Sequence, residues 1–145
     1  MIKLQLMSTE DVCQIAEIEK QCFNDPWSEN SIVSELQNPL SCWLVAKDGD
    51  TVAGYIGSQT VLDGSDMMNI AVRPEYRRQG IAECLIKELT AKVKEKGVVS
   101  LSLEVRVSNT AAISLYSKLD FHQAGRRPNY YRNPKEDAFI MRMEW

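Results

Sequence analysis

"AVRPEYRRQGIAECLIKEL", Ala71 to Leu89, joins the end of one element to the start of another across a basic turn. The residues before it read as a strand that Pro74 stops. Ile81, Leu85, Leu89 and Val93 then recur four apart, the spacing of one helical face, as far as Gly97. The turn holds Arg73, Arg77, Arg78 and one glycine, Gly80, where a helix N-terminus presents unpaired N–H groups and the positive end of its dipole. A glycine there lets a ligand approach the backbone, and arginines add charged donors for phosphate oxygens. Strand, basic turn and helix together predict an anion cradle. It is neither a GxxxxGK[ST] loop nor a GxGxxG fingerprint. On spacing alone, Arg77 and Arg78 read equally well as solvated charges ahead of an ordinary amphipathic helix.

At 145 residues, 44% hydrophobic and 26% charged, the chain predicts a single domain, 1–145, with one core. A net charge of −3 argues against a general nucleic-acid binder, so any basic site is local. Cys13, Cys22, Cys42 and Cys84 form no CxxC pair and His122 is the only histidine, which predicts free, half-buried thiols and no metal site. The start "MIKLQLMSTEDV" turns polar too early for a signal peptide, and no apolar run approaches the roughly 18 residues of a membrane span. The expected location is cytoplasmic, with no membrane partner.

Outward from the basic turn, the pattern alternates strands and helices. Ile2 to Met7 alternates as a strand; Ser8 with Asp11 resembles a capping box, and Val12, Ile15, Ala16, Ile18 and Phe23 form the buried stripe of a helix ended by Asp25-Pro26. Ser28 caps a second helix through Gln37. Cys42 to Lys47 and Val52 to Val61 flank "DGD" as a hairpin, and Met67 to Val72 is the next strand. After the long helix come strand Val99 to Val107, helix Asn109 to Leu119, strand Phe121 to Arg126 and a strand near Ala138 to Met143. The order βααβββαβαββ predicts a mixed α/β sheet with helices on its faces.

Within "SLEVRVSNTAAISLYSKLDF", Ser102 to Phe121, the alternation turns Leu103, Val105 and Val107 one way and Glu104 the other. Ser108 or Asn109 can cap the helix that follows. Tyr116 fits either a place over a bound ligand or a place in the core.

Arg77-x-x-Gly80-x-Ala82 after "NIAV" resembles the (Q/R)xxGx(G/A) acetyl-CoA motif of the GNAT acetyltransferase superfamily. "LEVRVSNTAAISLYSKLDF", together with "FNDPWS", "VLDGSDMMNIAV" and "RRPNYYRNPKEDAFIM", resembles its RimI-type ribosomal-protein-alanine N-acetyltransferases over almost the whole chain. The resemblance implies the GNAT fold, with about seven strands and about four helices. It implies acetyl-CoA as co-substrate, no metal, and the N-terminal alanine of a small-subunit ribosomal protein as acceptor. Glu104 matches the general base and Tyr116 the general acid. Ile70, Ala71, Val72, Arg77, Arg78, Gln79, Gly80, Ile81, Ala82, Glu83 and Asn109 match acetyl-CoA contacts. Ala82 stands where many relatives carry glycine, a change the superfamily motif accommodates. By the same analogy "NDPWS" and "NYYRNP" flank the acceptor channel, although Trp27, Tyr130 and Tyr131 fit core or hairpin positions equally.

The implied chemistry is direct attack of a neutral amine on the thioester. Glu104 takes the ammonium proton, directly or through water; Tyr116 protonates the leaving sulfur, and a backbone N–H of Met67 to Val72 polarises the carbonyl. An α-amine with a pKa near 7.8 is roughly 400-fold richer in neutral form at pH 7 than a lysine near 10.4, which favours a chain terminus as acceptor. Two other readings stay open: acetylation of a small-molecule amine or a lysine side chain, and a non-catalytic acetyl-CoA-binding module.

Overall fold

A computed structural model describes all 145 residues as one seven-stranded mixed sheet with helices on both faces. In chain order the elements are β1 (Ile2–Leu6), α1 (Val12–Cys22), α2 (Glu29–Leu36), β2 (Ser41–Asp48), β3 (Thr51–Val61), β4 (Gly64–Val72), α3 (Ile81–Glu95), β5 (Ser100–Arg106), α4 (Thr110–Lys118), β6 (His122–Tyr131) and β7 (Glu136–Glu144). Short 3₁₀ turns at Thr9–Asp11 and Pro74–Tyr76 precede α1 and α3. This is the predicted order, with the sheet arranged β1-β2-β3-β4-β5-β7-β6. Two boundaries differ. β4 begins at Gly64, because the β3–β4 reversal is made tightly at Leu62 (φ +57) and Asp63, and β6 runs on to Tyr131.

The helix starts follow from their capping chemistry. The Asp11 carboxylate accepts from the Ser8 backbone N–H at 2.9 Å, the Ser28 hydroxyl accepts from the Ser31 N–H at 3.1 Å, and the Asn109 amide oxygen accepts from the Ala112 N–H at 3.2 Å. The apolar rows then sort to two faces. Leu85, Leu89 and Val93 of α3 pack with Leu44, Ile56, Leu101 and Leu103 on one face, joined by Tyr116 and Phe121. Ile15 and Ile18 of α1 and Ile32 of α2 pack with Trp43, Val45 and Tyr55 on the other. Each such aliphatic side chain contributes about 1.5–3 kcal/mol by burial. The single expected core is thus two, divided by the sheet. The α1 stripe stops short of Phe23, which ends the helix in extended conformation (φ −131) and is half-buried. Of the cysteines only Cys22 is half-buried; Cys42 lies in the core, and Cys13 and Cys84 are exposed, so all four are free but not alike.

One feature of the pairing positions the site. β4 and β5 are the only parallel neighbours, and they pair only from Gly64–Ser100 to Asp66–Ser102. Beyond that point β4 stays with β3 as far as Val72–Gly54, while β5 goes with β7 as far as Arg106–Ala138. The sheet therefore opens into a wedge. At its apex β4 carries a bulge: Ser58 pairs with Met67 but Gly57 with Asn69, so Met68 has no opposite residue.

Candidate active site

Glu104 stands on the β5 wall of the wedge. Leu101, Leu103 and Val105 alternate into the α3 core, which turns Glu104 toward the α1/α2 face. The carboxylate is only half-buried. Its Oε1 lies 3.5 Å from Nε of Arg127 on β6. Burial raises its pKa; Arg127 opposes that shift and the nearby Asp66 adds to it. Glu104 is thereby a stronger base than an exposed glutamate. Neither neighbour is legible in the sequence: Arg127 sits in "RRPNYY" beside Arg126, which is bound instead to Asp137 at 2.8 Å, and nothing in the spacing separates the two.

Tyr116, from α4, is buried on the opposite face, its ring 5.7 Å from that of Phe121. It is thus a core residue by its ring. Desolvation pushes its hydroxyl up to about 12, and no hydrogen bond contributes to the shift. The proton stays on the oxygen throughout the physiological range, as an acid requires. Tyr131 feels both candidates electrostatically. Its hydroxyl is raised by burial, then by Tyr130, Glu104 and Tyr116, with Arg106 opposing, so it has both Glu104 and Tyr116 for neighbours. The Arg106 guanidinium lies 4.4 Å over the Tyr131 ring, and Tyr130 meets Tyr131 edge-on at 5.0 Å. Tyr130 is 49% exposed, with its hydroxyl also raised by burial and by Glu104. Neither tyrosine belongs to the two cores, and both feel the charge of Glu104.

The basic turn divides differently from the prediction. Arg73 does not belong to it: the side chain is buried, with Nε donating to the Val52 carbonyl at 2.6 Å and Nη2 to Gln14 and Glu17, each at 3.2 Å. Arg77 donates from Nε to the Val72 carbonyl at 3.2 Å and from Nη2 to the Cys22 sulfur at 3.3 Å, fastening the turn to the end of β4. Arg78, exposed and in left-handed backbone at φ +64, alone of the three has neither a hydrogen bond nor an ion pair. Gly80 is the α3 N-cap at φ +75, and a Cβ there would meet nothing within 4 Å, so the first turn of α3 is open to a ligand. Gln79 is exposed and Ala82 half-buried beside it, while Ile81 turns into the core. The Glu83 carboxylate is held by Lys87 at 3.1 Å and Lys118 at 2.8 Å, so only its backbone is free for a ligand. Asn109 spends its oxygen on the α4 cap. Ile70, Ala71 and Val72 lie on β4 past the last β5 pair, with one backbone edge unpartnered by any strand.

The two acceptor segments meet. Asn24 of the α1–α2 loop donates to the Asn133 carbonyl on the β6–β7 turn, and Asn133 donates to both Asp25 oxygens at 3.3 Å. Trp27 resolves toward the core: its ring lies 5.3 Å from Trp43, edge to face. Its backbone N–H reaches Glu19, a buried carboxylate that the sequence does not mark, because one glutamate in a helical stripe carries no signal of its own.

The profile of the acetyltransferase (GNAT) family matches residues 12–121. The chain belongs to that family, and by class it is an acetyl-CoA-dependent N-acetyltransferase. The [ribosomal protein bS18]-alanine N-acetyltransferase of Escherichia coli strain K12 is 38% identical over 137 residues, covering 93% of this chain and 92% of that one. A Bacillus subtilis protein provisionally named for the same activity is 43% identical over 136 residues, covering 93% and 90%. Among solved structures, the E. coli ribosomal-protein-S18-alanine N-acetyltransferase superposes with a TM-score of 0.91 at 36% identity, covering 99% of this chain and 94% of that one. Ard1 from Thermoplasma volcanium has the same fold, with a TM-score of 0.91 at 22% identity and coverage of 99% and 97%. No helix is long and apolar enough to cross a membrane.

Proposed function

We propose that residues 1–145 act as one catalytic domain in the cytoplasm, transferring acetyl from acetyl-CoA to the α-amine of a ribosomal protein that begins with alanine, as in the bS18-modifying relatives. The observation that carries this reading is the wedge. An open helix N-terminus lies at one mouth, a half-buried carboxylate stands on the β5 wall, and two loops meet over the acceptor side.

The residues fit acetyl-CoA. Arg78, Gln79, Gly80 and the first turn of α3 suit a diphosphate, and the free edge of Ile70 to Val72 suits the amides of a pantetheine arm. When bound, acetyl-CoA supplies an activated thioester. Glu104 then receives a proton from the acceptor ammonium, and Arg127 limits how far burial raises its pKa. Tyr116 holds the proton needed by a leaving thiolate. The backbone freed at the Met68 bulge offers an N–H to a developing oxyanion. Tyr130 and Tyr131 wall the acceptor amine, and Trp27 supports the loop above it.

The test is mass spectrometry of a peptide with an alanine start and an internal lysine, incubated with the protein and acetyl-CoA. Label on the α-amine is expected. Label on the lysine reassigns the acceptor to a side-chain amine, and acetyl-CoA binding without label on any amine makes the domain a binding module.

A further inference from the structure

Glu19 lies in the last turn of α1, 1% exposed, and takes no part in the chemistry above. One oxygen accepts from the Trp27 backbone N–H at 2.8 Å; the other accepts from the Asn69 side-chain amide at 2.6 Å and from the Tyr55 hydroxyl. The three donors come from different places: the acceptor loop, β4 beside its bulge, and the middle of β3. We infer that Glu19 is a positioning residue that ties the acceptor loop to the strand on which the thioester is polarised, fixing the distance between attacking amine and reacting carbonyl.

The inference rests on the acceptor assignment proposed above. Asn69 follows Met68 directly, so a shift of the Glu19–Asn69 contact moves the bulge. On the other arm, Trp27 is held through its backbone as well as by the Trp43 ring, which stacks in turn on Tyr55 at 5.8 Å and 5°. Loop and strand are therefore joined by one buried carboxylate and one aromatic stack. Burial pushes the Glu19 carboxyl up to about 7, a desolvation cost that a plain packing residue at this place would not carry.

The test compares Glu19→Gln with Tyr55→Phe. The amide of Glu19→Gln puts an NH₂ group against donors and loses one arm; Tyr55→Phe removes a donor to the same carboxylate and leaves both arms. For Glu19→Gln, kcat/KM for the alanine-starting peptide should fall about 10- to 100-fold, the cost of a displacement near 1 Å at the reacting atoms. Its acetyl-CoA Kd should stay within about two-fold, since that site lies on α3 and the free β4 edge. Hydrogen exchange at the Trp27 amide should accelerate in Glu19→Gln and not in Tyr55→Phe. Asn69→Ala cuts the tie from the strand side, should lower peptide kcat/KM in the same direction, and serves if Glu19→Gln does not fold. Equal peptide losses in Glu19→Gln and Tyr55→Phe, or unchanged peptide kinetics in Glu19→Gln and Asn69→Ala, overturn the inference. A wild-type protein that leaves the peptide unmodified overturns the acceptor assignment and this catalytic role together. The Trp27 exchange rate reports separately, in that case, whether Glu19 holds the loop.

Discussion

Glu19 also makes the stability of the fold depend on pH in a calculable way. Its carboxyl is pushed from 4.5 to about 7 by burial, against the opposing hydrogen bond from the Trp27 N–H. The folded state therefore binds the proton more tightly than the unfolded chain does. The stability this provides is complete below pH 4.5 and is lost as pH rises through about 7. Between pH 5 and pH 8 the loss is about 2.5 kcal/mol, from linkage between those two values. The comparison is with Glu19→Gln, in which every other titrating group is unchanged. Urea unfolding of both proteins at pH 5, 6, 7 and 8 gives two curves whose separation isolates Glu19. The wild type should lose about 2–3 kcal/mol relative to the variant across the series. Parallel curves would show that the buried carboxyl titrates like a free one, and the desolvation argument would be refuted.

Glu104→Gln should lower turnover by about 10²- to 10⁴-fold at pH 6.5. The deficit should shrink by roughly 20-fold at pH 9, the factor by which the neutral fraction of an α-amine grows between these values; full activity at the lower pH would remove Glu104 from the chemistry. Tyr116→Phe should lower turnover with no such rescue, because a hydroxyl near 12 keeps its proton at both pH values and the variant has none to give. Its acetyl-CoA affinity, read by calorimetry, should be unchanged. Gly80→Val should weaken acetyl-CoA binding by at least about tenfold, since at φ +75 a β-branched residue costs about 1–2 kcal/mol and covers the open helix end. The Cβ meets no protein atom, so circular dichroism should show an intact fold.

The elements were legible because each depends on local chemistry: capping at Ser28 and Asn109, the four-residue spacing from Ile81 to Val93, and the period-2 row that points Glu104 away from Leu103. Glu104, Tyr116 and the Gly80 turn were legible as residue types on elements, and their roles came from the family resemblance. What escaped depends on contacts distant in sequence. Arg73 reads as part of a basic turn, yet its guanidinium belongs to Val52, Gln14 and Glu17. Arg127 and Asp66, both near Glu104, reach it from β6, two strands away across β7, and from β4, and no local pattern places either near β5. Glu19 is invisible for the same reason, since its partners lie eight, 36 and 50 residues away.

The bulge explains why these distant contacts converge. Met67 packs in the α3 core, and a strand of strict period 2 would send Asn69 and Ala71 there too, burying an amide among leucines. The extra residue at Met68 reverses the alternation. Ile70 and Val72 then pack with the α3 core, while Ala71 faces the α1/α2 core and Asn69 meets Glu19. One inserted residue thus satisfies the amide, exposes backbone at the apex of the wedge, and supplies the anchor for the acceptor loop. The sequence does not mark it plainly, because "MMNIAV" holds two apolar runs, Met67–Met68 and Ile70–Val72, around Asn69. Deleting Met68 should therefore separate these effects. Met67 and Asn69 would then alternate as in a regular strand, so Asn69 should keep facing Glu19 and Ile70 the α3 core, while the backbone exposed at the bulge would be lost.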